Sequence, residues 1–326
     1  MGSGIQMARD LALLAPQLAV AITAVGALVF EMLRLPKVGL PFTVVGLLVG
    51  TGLASLLVST ETTVFMGTYR VDALSVWADL VLLPATALCV VLARREVGGT
   101  DREGTVYALL SFTALGALVL AGAGDLMFLV LGVLLSSLGS FALVAYPRDD
   151  RSTEAAMKYL VFGSVTSAVM IFGLTYWFGA TGSTLLSELG GLGSVRLAAV
   201  AGLVAVLVGL GYKAAIAPFH FWAPDAYDGA PVSVAAFLSV VPKVGAIYAL
   251  TQVLRDLPVS AAGWRCRARA SLVPARPSCA VQERPRRRQG CGSPPGHEIA
   301  GTVDRTRSIR RSSGTRGRPS GPKPAK

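Results

Sequence analysis

Eight apolar stretches, each close to the length that crosses a lipid bilayer, decide what this chain can fold into. They cover residues 11–33, 40–58, 73–93, 106–122, 126–146, 155–179, 197–219 and 232–254. A helix needs about 20 mostly apolar residues to span the hydrocarbon core. The linking loops are short and polar. With 53% hydrophobic and 15% charged residues, the chain is too apolar for an ordinary soluble domain. Inside lipid every backbone polar group must find its partner within the protein, which selects helices or closed barrels. The expected fold class is all-α: a polytopic membrane protein of about eight transmembrane helices. The first run has no clear n-region and no small-residue cleavage site, so it reads as a retained helix and not a signal peptide.

The net charge of +11 suggests nucleic acid until it is located. Residues 1–258 hold 14 Lys+Arg against 16 Asp+Glu, a net of −2; residues 259–326 hold 16 against 3, a net of +13. The chain therefore divides into a membrane domain over 1–258 and a basic tail over 259–326. The tail is rich in Arg, Pro, Gly and Ser, has no apolar period, and reads as disordered. It lacks the interleaved aromatics of a stacking platform for nucleic acid, so no nucleic-acid partner is expected. Its cysteines, Cys266, Cys279 and Cys291, lack the paired spacing of a zinc site. Cys89, inside an apolar run, reads as a core residue, and no metal is expected.

Loop charges set the orientation. One side carries Arg34, Lys37, Arg94, Arg95, Arg102, Arg148, Arg151 and Lys158, and the other Arg9, Arg70 and Arg196. Eight against three places the first set in the cytoplasm and the N-terminus outside. The loop with His220 and Asp225 is then cytoplasmic.

A charged side chain at membrane depth is costly and marks a functional position by default. Lys213 lies about 16 residues into its stretch, and Lys243 about 11 residues into the next, roughly 16 Å along a helix. Neither can easily snorkel to an interface. Pro218 and Pro242 each remove a backbone hydrogen bond near one of these lysines, which predicts a broken seventh helix and a second opening at Pro242. Lys213 and His220 are seven apart and would share a face of an unbroken helix. His220 is a plausible next proton carrier. Asp79, two turns inside the third stretch, is a further candidate, as is Asp225. Asp72 reads mainly as the cap of the third helix, and Asp125 as the cap of the fifth. Glu154 and Lys158 have the spacing of an i, i+4 pair.

The run YKAAIAPFHFWAPDAYDGAPVSVAAFLSVVPKVGAIYAL, residues 212–250, resembles the subunit N family of bacterial NADH–quinone oxidoreductase, the respiratory complex I, and more broadly its antiporter-like subunits. The run LVAYPRDDRSTEAAMKYLVFGSVTSAVMIFG, residues 143–173, resembles the fifth-to-sixth-helix region of the same family. The resemblance covers roughly residues 11–254. It implies proton translocation through Lys213, His220 and Lys243, driven by partner subunits. NADH, FMN, iron–sulfur clusters and quinone would belong to the parent complex and none to this chain, which has no GxGxxG loop and no cluster-type cysteine spacing. The partners implied are the other membrane and peripheral subunits and the lipid bilayer, in the bacterial inner (plasma) membrane. The related machines that share the core motif are multisubunit cation/proton antiporters and membrane-bound hydrogenase-type complexes; a non-transporting fragment is the third reading.

Two departures stand out. The family's fifth-helix glutamate falls at Leu134, within GVLLSSL, so Lys213 lacks its expected carboxylate partner. After residue 254 the family continues with more helices, whereas the tail composition is that of a shifted frame in a GC-rich gene. The expected result of reading the gene in all three frames beyond codon 250 is a second frame that continues with further apolar spans. Confirmation of the present frame and its stop would put the fragment reading first.

Overall fold

The apolar stretches form helices, and the places where those helices stop or bend position the buried charges. A computed structural model describes residues 2–100, 102–194 and 196–257; the basic tail, with its expected disorder, lies outside the described residues. α1 (Gly2–Leu13) precedes α2 (Ala15–Met32) and α3 (Pro36–Leu56). A small antiparallel hairpin follows, β1 (Thr62–Val64) and β2 (Tyr69–Val71), with Thr62 opposite Val71. Its turn runs through Phe65, Met66 and Gly67, all at positive φ. Then come α4 (Ala73–Val97), α5 (Glu103–Ala121), α6 (Leu126–Val144), α7 (Asp150–Thr181), a 3-10 segment (Leu186–Ser194), α8 (Arg196–Lys213), α9 (Trp222–Gly229) and α10 (Val232–Asp256).

Seven of these helices are long and apolar enough to cross a membrane, and α8 adds a shorter apolar helix over Leu197–Lys213. Large apolar side chains such as Ile22, Leu56, Leu138, Phe172 and Leu197 stand exposed on the outer faces. In water such a surface would aggregate; against acyl chains it is the expected coat. The hairpin was not foreseen. It caps one end of the bundle, where Tyr69 bridges to Ala123.

Small residues bring the helices together, because in lipid close packing replaces the hydrophobic drive. A Cβ on Gly116 of α5 would stand 2.3 Å from the Ser136 backbone nitrogen of α6, and one on Gly132 2.8 Å from that of Leu120. Between α7 and α8, Gly173 faces the Ala205 methyl, and Gly202 lies against the Trp177 ring. α4 and α10 run antiparallel and are tied at both ends. At one end Glu96 accepts from the amide and hydroxyl of Ser233, in the first turn of α10. At the hairpin end Asp72 accepts from Gln252 and pairs with Arg255 at 2.8 Å, while Arg70 pairs with Asp256. Asp72 also caps α4 through a reciprocal bond with Ser75, as its position suggested. Asp125 likewise caps α6, and Glu154 pairs with Lys158 at 2.8 Å.

Two expectations are corrected. The seventh stretch is not helical to residue 219: α8 ends at Lys213, so this lysine is at a helix end and not in mid-helix. The cause is Pro218, whose ring would collide with the carbonyl four residues back, at Ala214. Lys213 and His220 therefore do not share a helical face. Pro242 opens nothing: α10 is continuous from Val232 to Asp256 and carries Pro242 inside it, buried. Membrane helices absorb an internal proline where neighbours pack closely, and α3 and α4 do the same at Pro41 and Pro84.

Gly116→Val would drive a side chain into the α6 backbone. A loss of about 1–3 kcal/mol, the range for overpacking, is expected as a lower unfolding temperature in detergent. Gly179→Val, where a Cβ meets nothing within 4 Å, should leave that temperature nearly unchanged.

Candidate functional site

The site is built around the interruption between α8 and α9. A helix end strands its last carbonyls, and here each of three finds a donor. The Leu210 carbonyl accepts from Ala214 N at 2.8 Å, Gly211 from Ile216 N at 2.8 Å, and Tyr212 from Ala215 N at 3.0 Å. Ala215 reaches its position with a φ of 53°. The Tyr212 carbonyl takes a second bond, 2.9 Å, from the indole nitrogen of Trp222 at the start of α9. Within the loop the Ile216 carbonyl accepts from Phe219 N, and that of His220 from Ala223 N.

An aromatic cluster holds both half-helices. Trp222 stacks on Tyr159 of α7 with centroids 4.4 Å apart, and Tyr159 meets Phe141 of α6 edge-on at 4.7 Å. The Tyr212 hydroxyl donates to the Tyr159 carbonyl at 2.8 Å. Outside this cluster Arg151 pairs with Asp228, and Lys158 with Asp225 at 3.2 Å, joining α7 to α9. These pairs are exposed and contribute little energy; the buried rings carry the attachment.

Lys213 is 1% exposed, and its amine donates to the Ser137 hydroxyl of α6 at 3.0 Å. No carboxylate pairs with it among the described residues. Leu134, at the position where the resemblance places a glutamate, is 41% exposed and belongs to an outward stripe with Met127, Leu131 and Leu138. One turn further, Ser137 faces inward. Next to it Ser136 is fully buried and its hydroxyl has no partner. The hydroxyls of Tyr159 and Tyr227 are buried as well, that of Tyr159 near Ser140. Lys243 is half-buried in α10 and lies 5.4 Å from the Tyr227 ring centroid.

The sequence candidates therefore do not form one contact chain. Lys213 meets Ser137, Lys243 meets Tyr227, and His220 is exposed in the loop with its ring 4.9 Å from that of Phe221. Asp225 is engaged by Lys158, Asp72 by α10, and Asp79 is buried beside Gln17 of α2. Ser137, Tyr159 and Tyr227 were not singled out from sequence. Tyr227 sits in the PDAYDG turn of the quoted run, so the motif itself was its signal. Ser137 had only its place one turn from Leu134.

Trp222→Phe keeps an aromatic ring on Tyr159 but removes the donor to Tyr212. A loss of about 0.5–1.5 kcal/mol, the net worth of one hydrogen bond, is expected as a lower unfolding temperature. Unchanged stability would mean that the indole bond does not hold the break.

Residues 123–267 match the family described as NADH:quinone oxidoreductase/Mrp antiporter, TM. The chain is 38% identical over 279 residues to NADH-quinone oxidoreductase subunit N of Desulfovibrio desulfuricans, covering 80% of this chain and 55% of that protein. It is 41% identical over 226 residues to NADH-quinone oxidoreductase subunit N 1 of Streptomyces griseus, covering 68% and 47%. Among solved structures it resembles a chain of respiratory complex I from Thermus thermophilus with bound aureothin, at a TM-score of 0.66 and 32% identity, over 73% of this chain and 53% of that one. A chain of the archaeal membrane-bound sulfane sulfur reductase shares the fold, at a TM-score of 0.69 and 23% identity, over 80% and 56%. The chain spans about half the length of the curated relatives it matches.

Proposed function

We propose that this chain, which belongs to the NADH:quinone oxidoreductase/Mrp antiporter family of membrane subunits, is a proton-translocating subunit of an NADH–quinone oxidoreductase. The observation that carries the reading is the buried amine of Lys213 at the end of α8, bonded to a hydroxyl and, among the described residues, to no carboxylate. A serine hydroxyl both accepts and donates. It can receive a bond from an ammonium or give one to a neutral amine by rotating its proton. Ser137 therefore holds Lys213 in place through both halves of a protonation cycle. A carboxylate would favour the charged half alone.

From Lys213 the buried phenols of Tyr159 and Tyr227 lead toward Lys243. His220, exposed in the loop, is the group that meets water at the break. Water would link the steps that are not in contact, and movement of the loop over 214–221 would open and close the link. The electrons and their carriers, NADH, FMN, iron–sulfur clusters and quinone, would lie in partner subunits, and the work would reach this chain through contact with them. The setting is the bacterial inner membrane.

The test uses vesicles containing the assembled oxidoreductase and follows NADH-driven acidification. Lys213→Ala is expected to slow it at least about tenfold, the factor that about 1.4 kcal/mol of barrier commands, while NADH oxidation by an artificial acceptor persists. Lys213→Arg should not restore transport, because a guanidinium does not deprotonate. Full acidification by Lys213→Ala would overturn the proposal.

A further inference from the structure

Two turns into α4 beyond Asp72 stands an acid that this relay does not use. Asp79 is 3% exposed. Its Oδ2 accepts from the Gln17 amide nitrogen at 3.0 Å, and the same nitrogen lies 2.8 Å from the Tyr69 hydroxyl. The remaining oxygens of the pair, Asp79 Oδ1 and Gln17 Oε1, are both buried and both without a partner. No Lys or Arg among the described residues pairs with Asp79. The polar groups around it are Gln17 from α2, Tyr69 from β2 and, through Tyr69 at 3.4 Å, the Leu118 carbonyl of α5. On its own helix Asp72 is already engaged by Gln252 and Arg255 of α10.

A carboxylate with a single neutral donor is a poor occupant of such a place, since buried charge needs pairing. A carboxylic acid and a primary amide, however, are complementary. With Gln17 Nε2–H already directed at Asp79 Oδ2, a proton on Oδ1 can donate to Gln17 Oε1 once the two planar groups align. One proton would then satisfy both orphaned oxygens. A cleft of about 1190 Å³ lies close by at the hairpin end, and its lining includes Thr62, Arg70, Asp72 and Leu74. Leu74 is five residues before Asp79, about 7.5 Å along the helix. Tyr69, 1% exposed and on the opposite face of β2 from the lining residue Arg70, holds its hydroxyl against Gln17 and the Leu118 carbonyl.

We propose that Asp79 is a second proton-binding site in the bundle, exchanging its proton with water on the hairpin side and held in its acid form by a two-point acid–amide pair with Gln17. It rests on the membrane setting of α2 and α4 and not on translocation through Lys213.

The test reads the carboxyl itself, in membranes containing the full chain. The infrared difference between wild type and Asp79→Asn is expected to contain one carboxylic-acid C=O band that shifts in heavy water. Carboxylate bands in its place would overturn the proposal, and so would an acid band that does not shift, since its proton would not exchange. Should Asp79→Asn fail to fold, dicyclohexylcarbodiimide answers on the unaltered chain. The reagent adds to a protonated carboxyl, whose proton moves to a carbodiimide nitrogen as the oxygen bonds to the central carbon, and the adduct rearranges to a stable N-acylurea. The expected result is an adduct mapped to Asp79 by mass spectrometry; an unmodified Asp79 would overturn the proposal. Neither readout involves transport, so both are independent of the outcome for Lys213.

Discussion

A polypeptide at membrane depth has no water to complete its backbone hydrogen bonds, and the segment between α8 and α9 is where that constraint bears hardest. Pro218 forbids the helix from continuing past Ala214. The carbonyls released at 210, 211 and 212 then need donors that α8 no longer supplies. Tight turns through Ala214, Ala215 and Ile216 provide three, and the indole of Trp222 a fourth. The rings that hold Trp222, Tyr159 and Tyr212 in register also fix the end of α8 against α6 and α7. Lys213 is the last helical residue, so the solution to the backbone problem also sets the position of the amine.

This explains how a lysine can be 1% exposed with no counter-ion among the described residues. The end of a helix is the negative end of its dipole, and Ser137 offers a hydroxyl at 3.0 Å. The resemblance to known subunits leads one to seek an acid at residue 134. That position points outward in a stripe of Leu and Met, where a carboxylate would need a neighbour to cover it. Ser137, inward and one turn away, occupies the place that matters to Lys213. At Lys213 the structure therefore offers a hydrogen bond to a hydroxyl and, among the described residues, no charge compensation.

What could be read from the sequence follows the range of the interactions. Spans were legible because length and apolarity are local, and the caps at Asp72 and Asp125 and the Glu154–Lys158 pair because each joins residues within four positions. The break between Lys213 and His220 was legible from Pro218, but the early end of the helix at Lys213 was not, because the steric clash acts four residues upstream of the proline. Pro242 misled, since the same residue type kinks one helix and is absorbed by another depending on what packs around it. Gln17 with Asp79, Glu96 with Ser233 and Lys213 with Ser137 join residues 62, 137 and 76 positions apart. No periodicity announces such pairs; they join α2 to α4, α4 to α10 and α8 to α6, and only the tertiary packing brings those helices within reach.

The contrast between the two lysines follows from the same packing. α10 is continuous, buried through Pro242, and fastened to α4 at both ends by Glu96–Ser233 and by Asp72 with Gln252 and Arg255. Lys243 lies along this strut, half-buried, with its amine 5.4 Å from the Tyr227 ring centroid. α8 instead ends at Lys213, held by the turns over 214–216, by the Trp222 indole, by the Tyr212–Tyr159 bond and by Ser137. The two amines are thus held in different ways, Lys243 along a helix clamped at its two ends and Lys213 at the end of a helix that stops with it.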